Sequence, residues 1–240
     1  KYEHYKTMSM LKTITSRVVL ILLITLPLKI SIPELLQKVI SSDEDKVALP
    51  DNFIKVFSTF NNYNNHNDTS LAITFCRVVE LYKLDTNEYI FNYLLGQVLL
   101  ESGAQQYRKN GDLVLSCTGA VGFAQILRST SIGYLRNTIT KSDSSIFKNM
   151  GVTDYSFVND DRYSKSEKWG KAKSWLSNEV NNITLWGKIM SSELKSRTVT
   201  NALICYNIGP SQLKSYLGSG KSGMLHHYIV GIKNRMTHVK

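Results

Sequence analysis

The chain has 240 residues, 42% of them hydrophobic, enough for one domain with a proper core and an appended segment. Its 20% charged residues, four prolines and fourteen glycines exclude a disordered chain and collagen-like or proline-rich low complexity. The formal net charge is +10, and residues 181–240 hold eight basic residues against one acid, Glu193, which suits an anionic partner: nucleic acid, a lipid surface or an acidic wall polymer.

Residues 18–28, VVLILLITLPL, follow Lys1, Lys6, Lys12 and Arg17. Eleven residues are too few to span a bilayer, and no other run is longer, so a multi-pass membrane protein is excluded. A basic leader before a short apolar run matches a secretory signal or a membrane-seeking helix, so membrane contact or envelope targeting is expected, with a buried core helix as the alternative. Residues 1–45 form this N-terminal segment. Residues 46–69 read as a linker, with the turn of ALPD at 48–51 and the Asn-rich NNYNNHNDT at 61–69. The main domain is placed at 70–240.

Within that domain the periodicity is helical, and the expected class is mostly α. Residues 71–84 carry apolar side chains at 71, 75, 78, 79 and 82, one helical face. Asp85 and Thr86 can start a second helix, which Gly103 stops. Asn110-Gly111 marks a turn, so a short hairpin is expected near 107–116. Residues 175–194 read as one long helix, and 202–207 and 226–236 as two more. The polar stretch 137–174 matches no pattern.

Three widely spaced cysteines, Cys76, Cys117 and Cys205, do not make a disulfide framework. His4, His66, His226, His227 and His238 form no metal-ligand ladder, so neither metal nor cofactor is expected.

Glu101 is the first candidate for chemistry. It ends the otherwise apolar helix FNYLLGQVLLESG at 91–103. Apolar neighbours and the negative end of a helix both favour a neutral, proton-donating carboxyl, as a general acid requires. A solvated glutamate at a helix end is the plain alternative. Fifteen residues on, Ser116 opens SCTGAVGFAQ, where two glycines permit a tight backbone and Gln125 offers a polar group at the start of a new helix. Much later, Tyr206-Asn207 ends a helix at Gly209-Pro210.

These motifs in order, Glu101-Ser102-Gly103, S-x-x-G-A-x-G-x-x-Q at 116–125, N-I-x-x-x-G at 182–187 and Y-N-x-G-P at 206–210, resemble the catalytic domain of lytic transglycosylases. That domain occurs in soluble lytic transglycosylases, type IV secretion muramidases and phage proteins that open the cell wall. The resemblance covers roughly 70–235 and implies a lysozyme-like fold. It implies that Glu101 is the single catalytic acid/base, with Ser116 contacting the acid or the substrate. It implies that Gly119, Ala120 and Gly122 shape the cleft floor and that Gln125 reaches toward the sugar. Tyr206 would stand beside Glu101, and Asn207 and Gly209 would end its helix. The chain departs from the family where Phe123-Ala124 replaces Leu-Met and where Arg128 replaces a proline.

Ordinary glycosidases use two carboxylates. Asp112, Glu179 and Glu193 are the candidates for a second, and none falls at a motif position. The resemblance therefore implies peptidoglycan glycan strands as substrate, cleaved with formation of a 1,6-anhydro sugar, in the cell envelope, the periplasm or a virion. The alternatives are a lysozyme-type hydrolase and a non-catalytic glycan-binding component of a virion or secretion apparatus. The charge alone motivates a nucleic-acid binder, and no recognition motif supports one.

Overall fold

A computed structural model describes residues 49–64, 68–219, 223–237 and 239. The apolar run 18–28 lies outside the described residues. Residues Leu49–Lys240 form one compact unit. The described residues are mostly helical, with ten α-helices, one 3-10 turn and one two-stranded ribbon. None of these helices is long and apolar enough to cross a membrane.

Helix α1 (Phe53–Asn64) occupies much of the stretch read as linker. Phe53, Val56 and Phe60 are buried on one stripe of it. The helix runs on through Asn61 and Asn62, because packing of the Phe60 face outweighs the weak helix propensity of asparagine. Helix α2 (Thr69–Leu81) starts where the Asp68 carboxylate accepts the Leu71 N–H at 2.9 Å. Helix α3 (Glu88–Ser102) is capped by Asn87, two residues past the expected start, and ends at left-handed Gly103 as expected. Tyr93 through Leu99 are all buried, which places α3 at the centre of the unit.

The turn expected at Asn110-Gly111 is present. Gly111 donates to the Arg108 carbonyl at 2.9 Å, and Tyr107 bridges to Leu113. A second ribbon follows that periodicity did not reveal. In it β1 (Ala120–Val121) runs antiparallel to β2 (Ile126–Leu127). Two-residue strands carry too few alternations to leave a period-2 signal. Helix α4 (Arg128–Asn137) follows directly.

The polar stretch 137–174 folds into α5 (Lys141–Met150), a 3-10 turn (Ser156–Val158) and most of α6 (Lys165–Ser177). Capping boxes at Thr140/Asp143 and Ser164/Glu167 start the two helices. Residues 175–194 are not one helix. Asn178, in an extended conformation, ends α6, and its side chain accepts the Asn181 N–H to start α7 (Glu179–Leu194). The apolar pattern runs through the break because both helices bury the faces that meet there. Helices α8 (Val199–Ile208), α9 (Pro210–Ser219) and α10 (Gly223–Met236) complete the unit.

Two packing features position the site. Phe60, Phe75, Phe91, Phe123 and Trp186 form a connected aromatic core, with Phe75 stacked on Trp186 at 5.1 Å between centroids. Helix α10 crosses α3 very closely at Gly96, where an added Cβ would stand 2.8 Å from the Ile232 carbonyl oxygen.

Candidate active site

Glu101 is the penultimate residue of α3 and is half-buried. Burial pushes its carboxyl up to about 7, while the Tyr228 hydroxyl, donating to Oε1 at 2.6 Å, pulls the other way. Tyr228 comes from α10, and the close crossing at Gly96 and Gly231 brings it there. No other carboxylate contributes to the shift. Glu101 is thus a half-buried carboxyl that holds its proton up to neutral pH.

The residues of the other motifs meet on one turn, Gly122 to Gln125. The Ser102 hydroxyl donates to the Phe123 carbonyl at 2.5 Å. The Tyr206 hydroxyl donates to the Ala124 carbonyl at 2.6 Å. Asn182 Oδ1 accepts the Ala124 N–H at 3.0 Å, and its Nδ2 donates to the Val121 carbonyl at 2.8 Å. Gln106 Oε1 accepts the Phe123 N–H at 2.8 Å, and its Nε2 donates to the Leu176 carbonyl at 2.9 Å. Gly122 has φ +71, and the Gln106 amide fills the space where a Cβ would sit, so only glycine fits. Phe123 turns its ring into the aromatic core, edge-on to Phe60. The turn is therefore pinned from below by an aromatic anchor and along its backbone by four side chains from three parts of the chain. Ser102, next in sequence to Glu101, ties the acid to it.

Several expected residues stand elsewhere than expected. Gln125 does not lead a helix. It sits in the turn between β1 and β2 with φ +51, and its Nε2 donates to the Gly122 carbonyl at 2.7 Å. The helix begins three residues later, at Arg128. Ser116 makes its hydrogen bonds within its own turn, to the Ala120 N–H and to Thr118, both at 2.9 Å. Asn207 is exposed near the end of α8, two residues before Gly209, whose N–H donates to the Cys205 carbonyl. Tyr206 does stand near the acid. Burial raises its phenol well above the usual range, and the Glu101 charge pushes it further.

The other carboxylates have their own partners. Asp112 accepts from the Asn110 amide at 2.7 Å, and Glu193 pairs with Arg197 at 2.6 Å and accepts from Tyr134 at 2.9 Å. Glu179 accepts from Ser70 at 3.3 Å, and burial, then the nearby Asp68, pushes it up to about 7. Among the described residues no three histidines, cysteines or carboxylates stand together as a metal set.

Sequence reasoning missed Tyr228 and Gln106. Tyr228 has no spacing signal, because it reaches Glu101 from 127 residues away. Gln106 follows Glu101 by five residues in a loop with no regular period. The chain matches no family model, no curated protein and no solved structure.

Proposed function

We propose that the protein is a peptidoglycan lytic transglycosylase with a lysozyme-like fold and with Glu101 as its sole acid/base. One observation carries the reading: a carboxyl raised to about 7, with no carboxylate partner, is joined through Ser102 to a turn on which Asn182 and Tyr206 also converge. The resemblance singled out those positions from order and spacing alone. A neutral carboxyl at physiological pH is what donation to a glycosidic oxygen needs.

The chemistry runs with one carboxyl. Glu101 gives its proton to the oxygen between N-acetylmuramic acid and N-acetylglucosamine, and the C1–O bond breaks. The 2-acetamido group of the muramic sugar stabilises the electron-poor C1. Glu101, now a carboxylate, takes the proton of the C6 hydroxyl as O6 bonds to C1. The proton balance closes on Glu101, and no water is consumed. Tyr228 holds the carboxyl in place and moderates its pKa. This assignment puts the protein to work in the cell envelope or periplasm, or as part of a virion, with residues 18–28 as the membrane-contacting segment.

The test is digestion of purified peptidoglycan by the full chain and by Glu101→Gln, with released muropeptides weighed. The expected products are one water lighter than hydrolysis products, and Glu101→Gln should lower their rate by at least about 10²-fold. Full-weight reducing ends would make the enzyme a lysozyme-type hydrolase. Glycan binding without release by either protein would make it a non-catalytic binding component.

A further inference from the structure

Helix α6 carries an exposed tryptophan among cations, and nothing in the proposed chemistry uses it. Trp169 is 37% exposed. The Arg128 guanidinium lies 5.5 Å from its ring centroid and Lys165 Nζ 5.1 Å. Lys173, one turn on, falls on the same helical face as Lys165 and Trp169. The one acid inside α6, Glu167, points to another face, where it closes the capping box with Ser164. Neither Arg128 nor Lys165 has a carboxylate partner among the described residues.

Charge left unpaired is ordinary on a surface, but this arrangement is ordered. The indole holds two long cationic side chains over its ring, which removes much of the entropy an anion would otherwise have to quench. A guanidinium held in this way offers a fixed fork to a carboxylate. The patch also adjoins the candidate site. Arg128 begins α4 directly after the pinned ribbon, and its guanidinium lies against Gly119, where an added Cβ would be 3.0 Å from Nη2. One departure from the resembled family, Arg128 in place of proline, thereby acquires a use, and so does Trp169, which lies in the stretch 137–174 that matched no pattern.

We propose that Arg128, Lys165 and Lys173, arrayed about Trp169, form a subsite for the free carboxylates of the stem peptides on a peptidoglycan strand. The proposal rests on the transglycosylase reading. A strand whose sugars lie over the Ser116–Gln125 turn projects its peptides past the edge of that turn, where the cations wait. The enzyme then prefers peptide-bearing strands over bare glycan.

The test uses the full chain, wild type and Arg128→Gln/Lys165→Gln, on two substrates: intact strands and strands freed of peptide by an amidase. Wild type should cleave intact strands with the lower KM. The double variant should raise that KM by about fivefold, as two exposed charge contacts would. It should leave kcat and the cleavage of bare strands unchanged, and added salt should erase the difference between the proteins. Equal KM for both substrates with wild type overturns the subsite while leaving the transglycosylase standing. No cleavage of either substrate by wild type overturns the reading beneath it. Retention of a DNA duplex by wild type, lost in the variant with wall cleavage unaltered, would assign the patch to phosphates and overturn the proposal.

Discussion

At the scale of single residues, the pH behaviour follows from one hydrogen bond and one burial. In the proposed mechanism Glu101 must begin the reaction protonated, and its carboxyl sits at about 7, so the rate should fall above about pH 7. Tyr228 stabilises the ionised form by donating to it. Tyr228→Phe removes that donor, raises the Glu101 pKa further, and should move the alkaline limb of kcat/KM upward. A limb that stays in place would mean the Tyr228 hydroxyl does not reach the acid in solution. Stability carries the same information. Below about pH 4.5, the ordinary glutamate value, the carboxyl is neutral both folded and unfolded, and burying it is not penalised. Between pH 4.5 and about 7 the unfolded chain gives up the proton that the folded chain keeps, and stability is lost; above 7 the loss is complete. Glu101→Gln has no such loss. It should therefore be more stable than wild type at pH 8, by up to about 3 kcal/mol, the free-energy equivalent of moving the carboxyl from 4.5 to about 7, and approach wild type at pH 4. A gap that does not change with pH would mean a solvated Glu101. The place of Glu101 at the end of an apolar helix was legible in the sequence, because it is a local feature, though position alone left a solvated glutamate as the plain alternative. Tyr228 was not, because its partnership depends on how two helices cross.

At the scale of elements, that crossing is the point of control. Gly96 and Gly231 let α3 and α10 approach closely. Gly231 faces Leu100, the residue before Glu101, with its Cβ position 3.1 Å from the leucine Cδ2. Gly96→Ala sets a methyl group against a backbone carbonyl, which cannot rotate away as a side chain can. The helices must separate, at a cost of about 1–3 kcal/mol. Separation also withdraws Tyr228 from Glu101, so the variant should combine a lower thermal midpoint with the raised alkaline limb of Tyr228→Phe. A lower midpoint with an unmoved limb would show that α10 yields elsewhere along its length. A helix with a clear apolar stripe, such as α2, and one apolar nearly all round, such as α3, were readable from the chain. The break at Asn178 was not, since the residue that ends α6 also caps α7 and the apolar pattern runs on across it. The short ribbon was equally hidden, although the motif that builds it could be read from its glycines. Gln125 was placed on a helix for the same reason: the ribbon that holds it in a turn has no period to announce it.

At the scale of the whole unit, the polar stretch 137–174 is what sequence reasoning left blank, and a buried ion pair is one of the contacts that dock it. Its apolar anchors, Phe147, Val158 and Ala172, are far apart and leave no stripe. An ion pair ties Asp143 of α5 to Lys188 of α7, 2.8 Å apart, with 7% and 8% of their side chains exposed. Burial alone would raise the Asp143 carboxyl, but hydrogen bonds from Lys188 and Thr140 hold it below the ordinary range. Neither residue is notable in the sequence, since a buried ion pair between helices is invisible until both helices are placed. The pair is expected to be costly to break and easy to replace. Asp143→Asn leaves the Lys188 ammonium buried without a counter-charge and should destabilise the protein by about 3–5 kcal/mol at pH 7. Asp143→Leu/Lys188→Met, which removes both charges, should recover most of that loss. The pH dependence has the opposite sign to that of Glu101. A depressed carboxylate stabilises the fold above its ordinary pKa of about 3.8, and that stabilisation disappears as pH falls through the lower folded value. Denaturant midpoints should thus separate wild type from Asp143→Asn widely at pH 7 and narrowly in strong acid. If the double variant proves no better than the single one, the residues around the pair are shaped for charge, and the docking of α5 rests on more than the ion pair.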